Sequence, residues 1–305
     1  MKKIAISIGD LNGIGAEIAL RSHNEINKLC EPIYCVDKQM LVQASKLLDL
    51  SLPNDMNSQN IGNTFSITPQ KVDAKSGVYS FSSFKKALQL VSEEKADAVC
   101  TLPIHKEAWS LAGIEYKGHT EYLREFTGED TIMVLGCEDL YVALFTEHIA
   151  LKDVAQKINT ASLVEFFTLF YEKMKKEKIG VLGLNPHAGD NGVIGKEEII
   201  IEKAIKDINS KIGKEVFHGA LVPDTAFTPN SLKNYNTLIA MYHDQGLAPL
   251  KALYFDESIN ISINRKIIRT SVDHGTAMDI AYQNASPSTK SYLNAIKAAV
   301  KQASA

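Results

Sequence analysis

The chain lacks the features that mark the most easily read protein classes. It has 4 cysteines in 305 residues, none at CxxC spacing, so it encodes neither a disulfide scaffold nor a zinc-ribbon framework. Cys30, Cys35, Cys100 and Cys137 stand mostly among apolar neighbours and read as small buried hydrophobes in a reducing compartment. No apolar run approaches the roughly 18 residues of a membrane span, and the N-terminal MKKIAISIGD turns polar too soon for a secretory leader. These absences point to a cytoplasmic protein without a membrane partner. Charge of one sign is missing too. The 33 basic and 36 acidic residues are mixed along the chain and leave a net charge of −3, so there is no field to gather a phosphodiester backbone and nucleic acid is not the expected partner. Neither GxxxxGK[ST] nor GxGxxG occurs, which counts against a P-loop kinase and a standard Rossmann dehydrogenase.

What is present is an ordinary globular composition, 45% hydrophobic and 23% charged, long enough for one large or two joined domains to bury a core without staples. Short β-rich apolar runs recur at Ile4 to Ile8, Ile33 to Val36, Ala96 to Thr101, Ile132 to Leu135, Tyr141 to Phe145, Ile179 to Leu184, Ala220 to Val222, Leu238 to Tyr242 and Ile259 to Ile263. Between them lie helical patterns carried by Phe81, Phe84 and Leu88, by Leu163, Phe167 and Phe170, and by Ile201, Ala204 and Ile208. A last helix is expected after Pro287, and the stretch from Ser51 to Thr64 reads as a surface loop. Alternating strands and helices predict an α/β fold.

Chemistry gathers at the ends of these runs. The segment Gly9 to Gly15, with three glycines after the first strand, is either an anion cradle at a helix start or a tight turn. Of the 8 histidines, His119, His148, His187, His243 and His274 sit just past apolar runs beside other polar groups. In open α/β sheets, ligands bind beyond the carboxyl ends of strands. His148, His187 and His243 each follow a different expected strand and together suit a divalent metal, although any one alone reads more often as a hydrogen-bonded structural residue. Lys251, Asn260 and Arg269 form a second set, either converging on a phosphate or carboxylate or lying on a solvated face. Asp224, after Val222 and Pro223, is a proton acceptor or a turn cap.

Four longer motifs occur in order: GHTE at 118–121, NPHAGDNGVIG at 185–195, YHDQG at 242–246 and RTSVDHGTA at 269–277. With the opening IGDLNGIGAEI and the TLPIHKEA segment at 101–108, the chain resembles the 4-hydroxythreonine-4-phosphate dehydrogenase family of pyridoxal phosphate synthesis from Ile4 to about Ala281. The resemblance implies an isocitrate/isopropylmalate dehydrogenase-like fold, with one α/β domain from residues 1–110 plus 245–305, a second from 111–244, and a cleft between them. It implies His148, His187 and His243 as ligands of a divalent metal (zinc, magnesium or cobalt), with His243 reaching into the partner subunit's site in a homodimer. His119, Thr120, Lys251, Asn260 and Arg269 become contacts of a phosphorylated amino-acid substrate, and Lys251 or Asp224 the proton acceptor. The implied reaction is oxidation by NAD or NADP of 4-phosphooxy-L-threonine at C3, giving 2-amino-3-oxo-4-phosphooxybutanoate, which decarboxylates to 3-amino-2-oxopropyl phosphate. A dehydrogenase of the same fold acting on another phosphorylated or dihydroxylated acid, or a zinc-dependent lyase or hydrolase, is the alternative. The chain departs from the family pattern at Glu147, where threonine is usual, and at Ala150, where proline is usual; a local backbone change is expected there.

Overall fold

The apolar runs do become strands. The computed structural model describes residues 1–304, and its strands are β1 Lys3–Ser7, β2 Glu31–Cys35, β3 Ala98–Thr101, β4 Ile132–Cys137, β5 Leu140–Leu144, β6 Ile179–Leu182, β7 Phe217–Leu221, β8 Thr237–Ala240, β9 Ile259–Ile263 and β10 Ile268–Val272. The strand that sequence reading did not name is β10, whose IRTSV carries three polar residues although four of its five positions are buried. The 51–64 stretch forms no helix or strand beyond an isolated bridge from Ser58 to Tyr34. No helix among the described residues is long and apolar enough to cross a membrane.

The chain divides into two compact units, Met1–Thr131 with Ile259–Ser304, and Ile132–Ser258. Both boundaries lie further along the chain than the sequence expectation of 110 and 245. The reason is packing. Leu123, on the helix His119–Thr127, is fully buried in the core of the first unit with Phe84, Leu88 and Trp109. Leu247 and Leu250, on the helix His243–Tyr254, are buried in the second unit's core against Val142, Leu144 and Leu238. Each such leucine stabilises its own unit by about 1.5–3 kcal/mol, enough to decide where the helix belongs.

In the first unit the strands run in the order β2-β1-β3-β10-β9. All neighbours are parallel except β9, which runs antiparallel to β10. The helix Ala74–Ser92 is capped by the Asp73 side chain, which accepts from the Ser76 N–H. It lies so close to the helix Lys106–Leu111 that a Cβ on Gly77 would meet the Ala108 carbonyl at 2.1 Å. The other face of the sheet is covered by Lys290–Ala303, the expected final helix, and the Thr270 hydroxyl donates to its Ala295 carbonyl at 2.9 Å.

In the second unit the order is β4-β5-β8-β6-β7, a β4/β5 hairpin followed by parallel strands. The helices Thr160–Met174 and Glu197–Ile212 bury Phe167, Phe170, Ile201, Ala204 and Ile208, the positions their sequence periodicity singled out.

Candidate active site

In the first unit, strand register builds a polar face inside the sheet. Arg269 pairs with Val99 and Ser262, and Ser271 with Thr101 and Asn260, so all six side chains point to one side. Arg269 is only 3% exposed. Its Nη1 donates to Ser262 Oγ at 2.9 Å and its Nη2 to Thr101 Oγ1 at 2.8 Å, while Nε has no partner. The guanidinium lies 6.0 Å from the Phe84 ring centre and pairs with no carboxylate; burial pushes its pKa down to about 10. A buried cation with spare donors and no counter-ion is costly unless a ligand supplies the anion.

His119 stands beside it. The ring packs edge-on to Phe84 at 4.6 Å and to Trp109 at 5.6 Å, and its buried Nε2 has no partner. Burial first, then the charges of Arg269 and Lys106, hold the imidazole well below its usual pKa, so it is neutral and can donate or accept. Three more buried polar atoms lack partners nearby in the fold: His105 Nδ1 after β3, His274 Nε2 after β10, and Asn260 Oδ1 at the start of antiparallel β9. All lie at the end of the sheet where β3 and β10 finish, the end where α/β sheets bind ligands. Isolated orphans occur in any fold; several at one sheet end are the mark of a ligand site. Thr120, next to His119, is half-buried.

The glycine segment resolves as a turn. The N–H groups of Asp10, Asn12, Gly13 and Ile14 donate to the Pro103 carbonyl, the Asp10 carboxylate, the Asp10 carbonyl and the Thr276 carbonyl, respectively. A Cβ on Gly9, which has φ 72°, would meet the Pro103 carbonyl at 2.2 Å. Asp10 itself is buried, bonded to the Ser76 hydroxyl, and has a pKa raised by burial.

In the second unit the three metal-directed histidines follow three adjacent parallel strands, His148 after β5, His243 after β8 and His187 after β6. Hydrogen bonds tie their segments together. Thr146 donates its N–H and hydroxyl to the Met241 carbonyl, and Gln245 bridges the Met241 N–H and the Gly183 carbonyl at 2.7 Å each. The His148 and His243 ring centres lie 5.4 Å apart within the one chain. His243 Nδ1 meets the Asp244 carboxylate at 2.7 Å, leaving Nε2 for an ion in the carboxylate–histidine arrangement common among metal ligands. His187 is exposed and begins five consecutive left-handed residues, 187–191. The segment is braced by Glu198, which accepts from the N–H groups of Leu184 and Asn185 and from the Asn185 amide. Such conformations are strained and persist only where the surroundings fix them.

The donor set therefore fits a divalent ion, but the histidines do not converge as they stand. Among the described residues, the group of three ligand atoms lying within 4.8 Å of one another is Cys137, Asp139 and Glu257. Lys251 is half-buried, eight residues past His243 on the same helix and so about 12 Å further along it. Asp224 is exposed beyond β7. Ala150 has φ −64°, the value a proline ring imposes, so the backbone at this position suits the proline usual in the family. Sequence reading passed over His105 and Lys106, whose signal was a histidine-lysine pair just past the run ending at Thr101. All four cysteines are buried and free, and burial pushes Cys30, Cys35 and Cys100 up to about 12, so none is poised as a nucleophile.

A family model described as "Pyridoxal phosphate biosynthetic protein PdxA" matches residues 28–299. A 4-hydroxythreonine-4-phosphate dehydrogenase of Sulfurimonas denitrificans is 57% identical over 298 residues, covering 98% of this chain and 97% of that protein. One from Campylobacter fetus is 54% identical, covering 99% and 98%. A crystal structure of 4-hydroxythreonine-4-phosphate dehydrogenase from Klebsiella pneumoniae superposes with a TM-score of 0.83 at 32% identity, covering 99% of this chain and 98% of that one.

Proposed function

The chain belongs to the PdxA family of pyridoxal phosphate biosynthetic proteins, and from that premise we propose that it is a 4-hydroxythreonine-4-phosphate dehydrogenase. In this reading 4-phosphooxy-L-threonine loses a hydride from C3 to NAD or NADP and a proton from its C3 hydroxyl. The resulting 2-amino-3-oxo acid then loses its carboxylate as carbon dioxide. The observation that carries the reading beyond family membership is the buried, unpaired guanidinium of Arg269 among orphaned polar atoms, since a phosphorylated substrate supplies the anion it lacks.

His148, His187 and His243 would hold a divalent ion such as zinc, magnesium or cobalt, whose contribution is to lower the hydroxyl pKa and polarise the oxygen. Arg269 and His119 bind and orient the anionic end, and Asn260 Oδ1 accepts from a substrate donor. Thr120 adjoins the same contacts, and Lys251 is assigned to the substrate as well. The proton acceptor is Lys251 or Asp224, and kinetics on Lys251→Met and Asp224→Asn distinguish the two. The test of function is absorbance at the NADH band with NAD, divalent metal and a panel of phosphorylated hydroxy acids. The reading requires 4-phosphooxy-L-threonine to be the preferred substrate, and it fails if another acid is preferred or none reacts.

The active form in this reading is a homodimer sharing its metal site. Support comes from exposed apolar residues beside each histidine segment: Ile149 and Leu151 follow His148, Val193 and Ile194 follow His187, and Leu253 and Phe255 lie at the end of the helix that His243 opens. Mixing His187→Ala and His243→Ala chains should restore roughly a quarter of the sites after random exchange. If exchange is proven and no activity returns, the ligands come from one chain.

A further inference from the structure

The His119 ring, which has the buried Arg269 guanidinium on one hand, has a second and exposed cation acting on it. Lys106 follows His105 at the start of the helix Lys106–Leu111, and its Cε lies 3.8 Å from where a Cβ on Gly118 would sit, one residue from His119. Among the described residues no carboxylate pairs with Lys106, as none pairs with Arg269. Both cations thus act on the neutral His119 ring, whose Nε2, like Arg269 Nε, is unpartnered and buried. Cations gathered around one buried ring without an acid are repaid by an anionic ligand.

We propose that Lys106 is a substrate-binding residue that completes, with Arg269 and His119, a subsite for the phosphate dianion of the substrate. This rests on the reading of the chain as a dehydrogenase of a phosphorylated substrate, and it adds both a residue and an orientation to it. A carboxylate carries one negative charge and is satisfied by a single guanidinium fork. A phosphate monoester carries about −1.5 to −2 at neutral pH and offers three acceptor oxygens. The guanidinium fork, a mobile ammonium and an imidazole N–H match that charge and that number of acceptors. The phosphate end therefore lies in the first unit's polar face, and His119 donates from whichever nitrogen carries its proton.

Inorganic phosphate is the probe, and the chain carries its own reporter. Trp109 is the single tryptophan, its ring 5.6 Å from His119 and its indole N–H bonded to the Ser80 hydroxyl. Phosphate titration of the full chain, followed by Trp109 fluorescence and by calorimetry, should saturate. Lys106→Met should weaken phosphate binding about tenfold, Lys106→Arg should stay within about threefold of the native chain, and acetate should bind far more weakly to all. Lys46→Met, an exposed lysine elsewhere, should bind phosphate as the native chain does. In turnover, Lys106→Met should raise KM for the phosphorylated substrate more than it lowers kcat. Phosphate affinity unchanged in Lys106→Met overturns the assignment, as does a native chain with no saturable phosphate response by calorimetry. A chain that binds phosphate through Lys106 yet does not oxidise 4-phosphooxy-L-threonine leaves the subsite standing and removes the dehydrogenase reading instead.

Discussion

The two units hold their chemistry in opposite states of exposure. In the first, Arg269 is 3% exposed and the polar atoms without partners are buried, so the site's geometry is fixed by the core itself. In the second, His148 and His187 are exposed on segments that follow strand ends, and the three imidazoles have not converged. Burying an unpaired charge costs several kcal/mol, whereas leaving an imidazole in water costs almost nothing. In the proposed reading, anion recognition is thus tied to folding, and coordination is left to segments at strand ends.

That contrast sets the sizes of the mutational effects. His187→Ala should abolish NADH formation while the thermal midpoint stays near the native value, because exposed side chains usually change stability by no more than about 0.5 kcal/mol. A variant that turns over normally in the presence of chelator would remove the metal assignment. Arg269→Lys keeps the charge and discards the planar fork; it should cost about 1.5–3 kcal/mol in kcat/KM, the usual worth of a hydrogen bond to a charged group. An unchanged kcat/KM would return Arg269 to a structural role.

The buried site should also show a pH signature. The folded His119 ring holds its proton less tightly than the unfolded one, whose pKa is near 6.5. Below that value the unfolded chain takes up a proton that the folded chain refuses, so stability falls as pH falls, with a slope of at most about 1.4 kcal/mol per pH unit from this one group. Denaturant melts from pH 7 to 5 on the native chain and on His119→Gln should show a shallower decline in the variant; parallel curves would contradict the neutral, buried ring. The smallest effect belongs to Ala150→Pro, which should stabilise by about 0.4–1 kcal/mol or leave stability unchanged, since φ there already suits proline. A loss of stability would show that the Ala150 N–H is needed.

Much of this was legible in the sequence because period and position speak directly. Nine apolar runs overlap strands, although β7 begins at Phe217, three residues before the expected Ala220, and the histidines after β5, β6 and β8 stand where strand-end logic puts them. β10 was hard to read because its Arg269, Thr270 and Ser271 are buried for a site and for the Ala295 carbonyl rather than for a core. Convergence was harder still. Nothing in residue order reveals that Arg269, on β10, meets Thr101, on β3, or that His119 packs against Phe84, since those contacts are made only when distant segments fold together. The domain boundaries were displaced for the same reason, because helix allegiance is settled by burial of residues such as Leu123 and Leu247.

The central claim, that the chain oxidises a phosphorylated substrate with the help of a divalent metal, is tested most directly by NADH formation in a four-way comparison. The native chain with NAD is given 4-phosphooxy-L-threonine or its unphosphorylated counterpart, each with divalent metal or after chelation. Turnover confined to the phosphorylated substrate with metal present is the predicted result. Equal turnover of the unphosphorylated alcohol, or turnover that survives chelation, would contradict it.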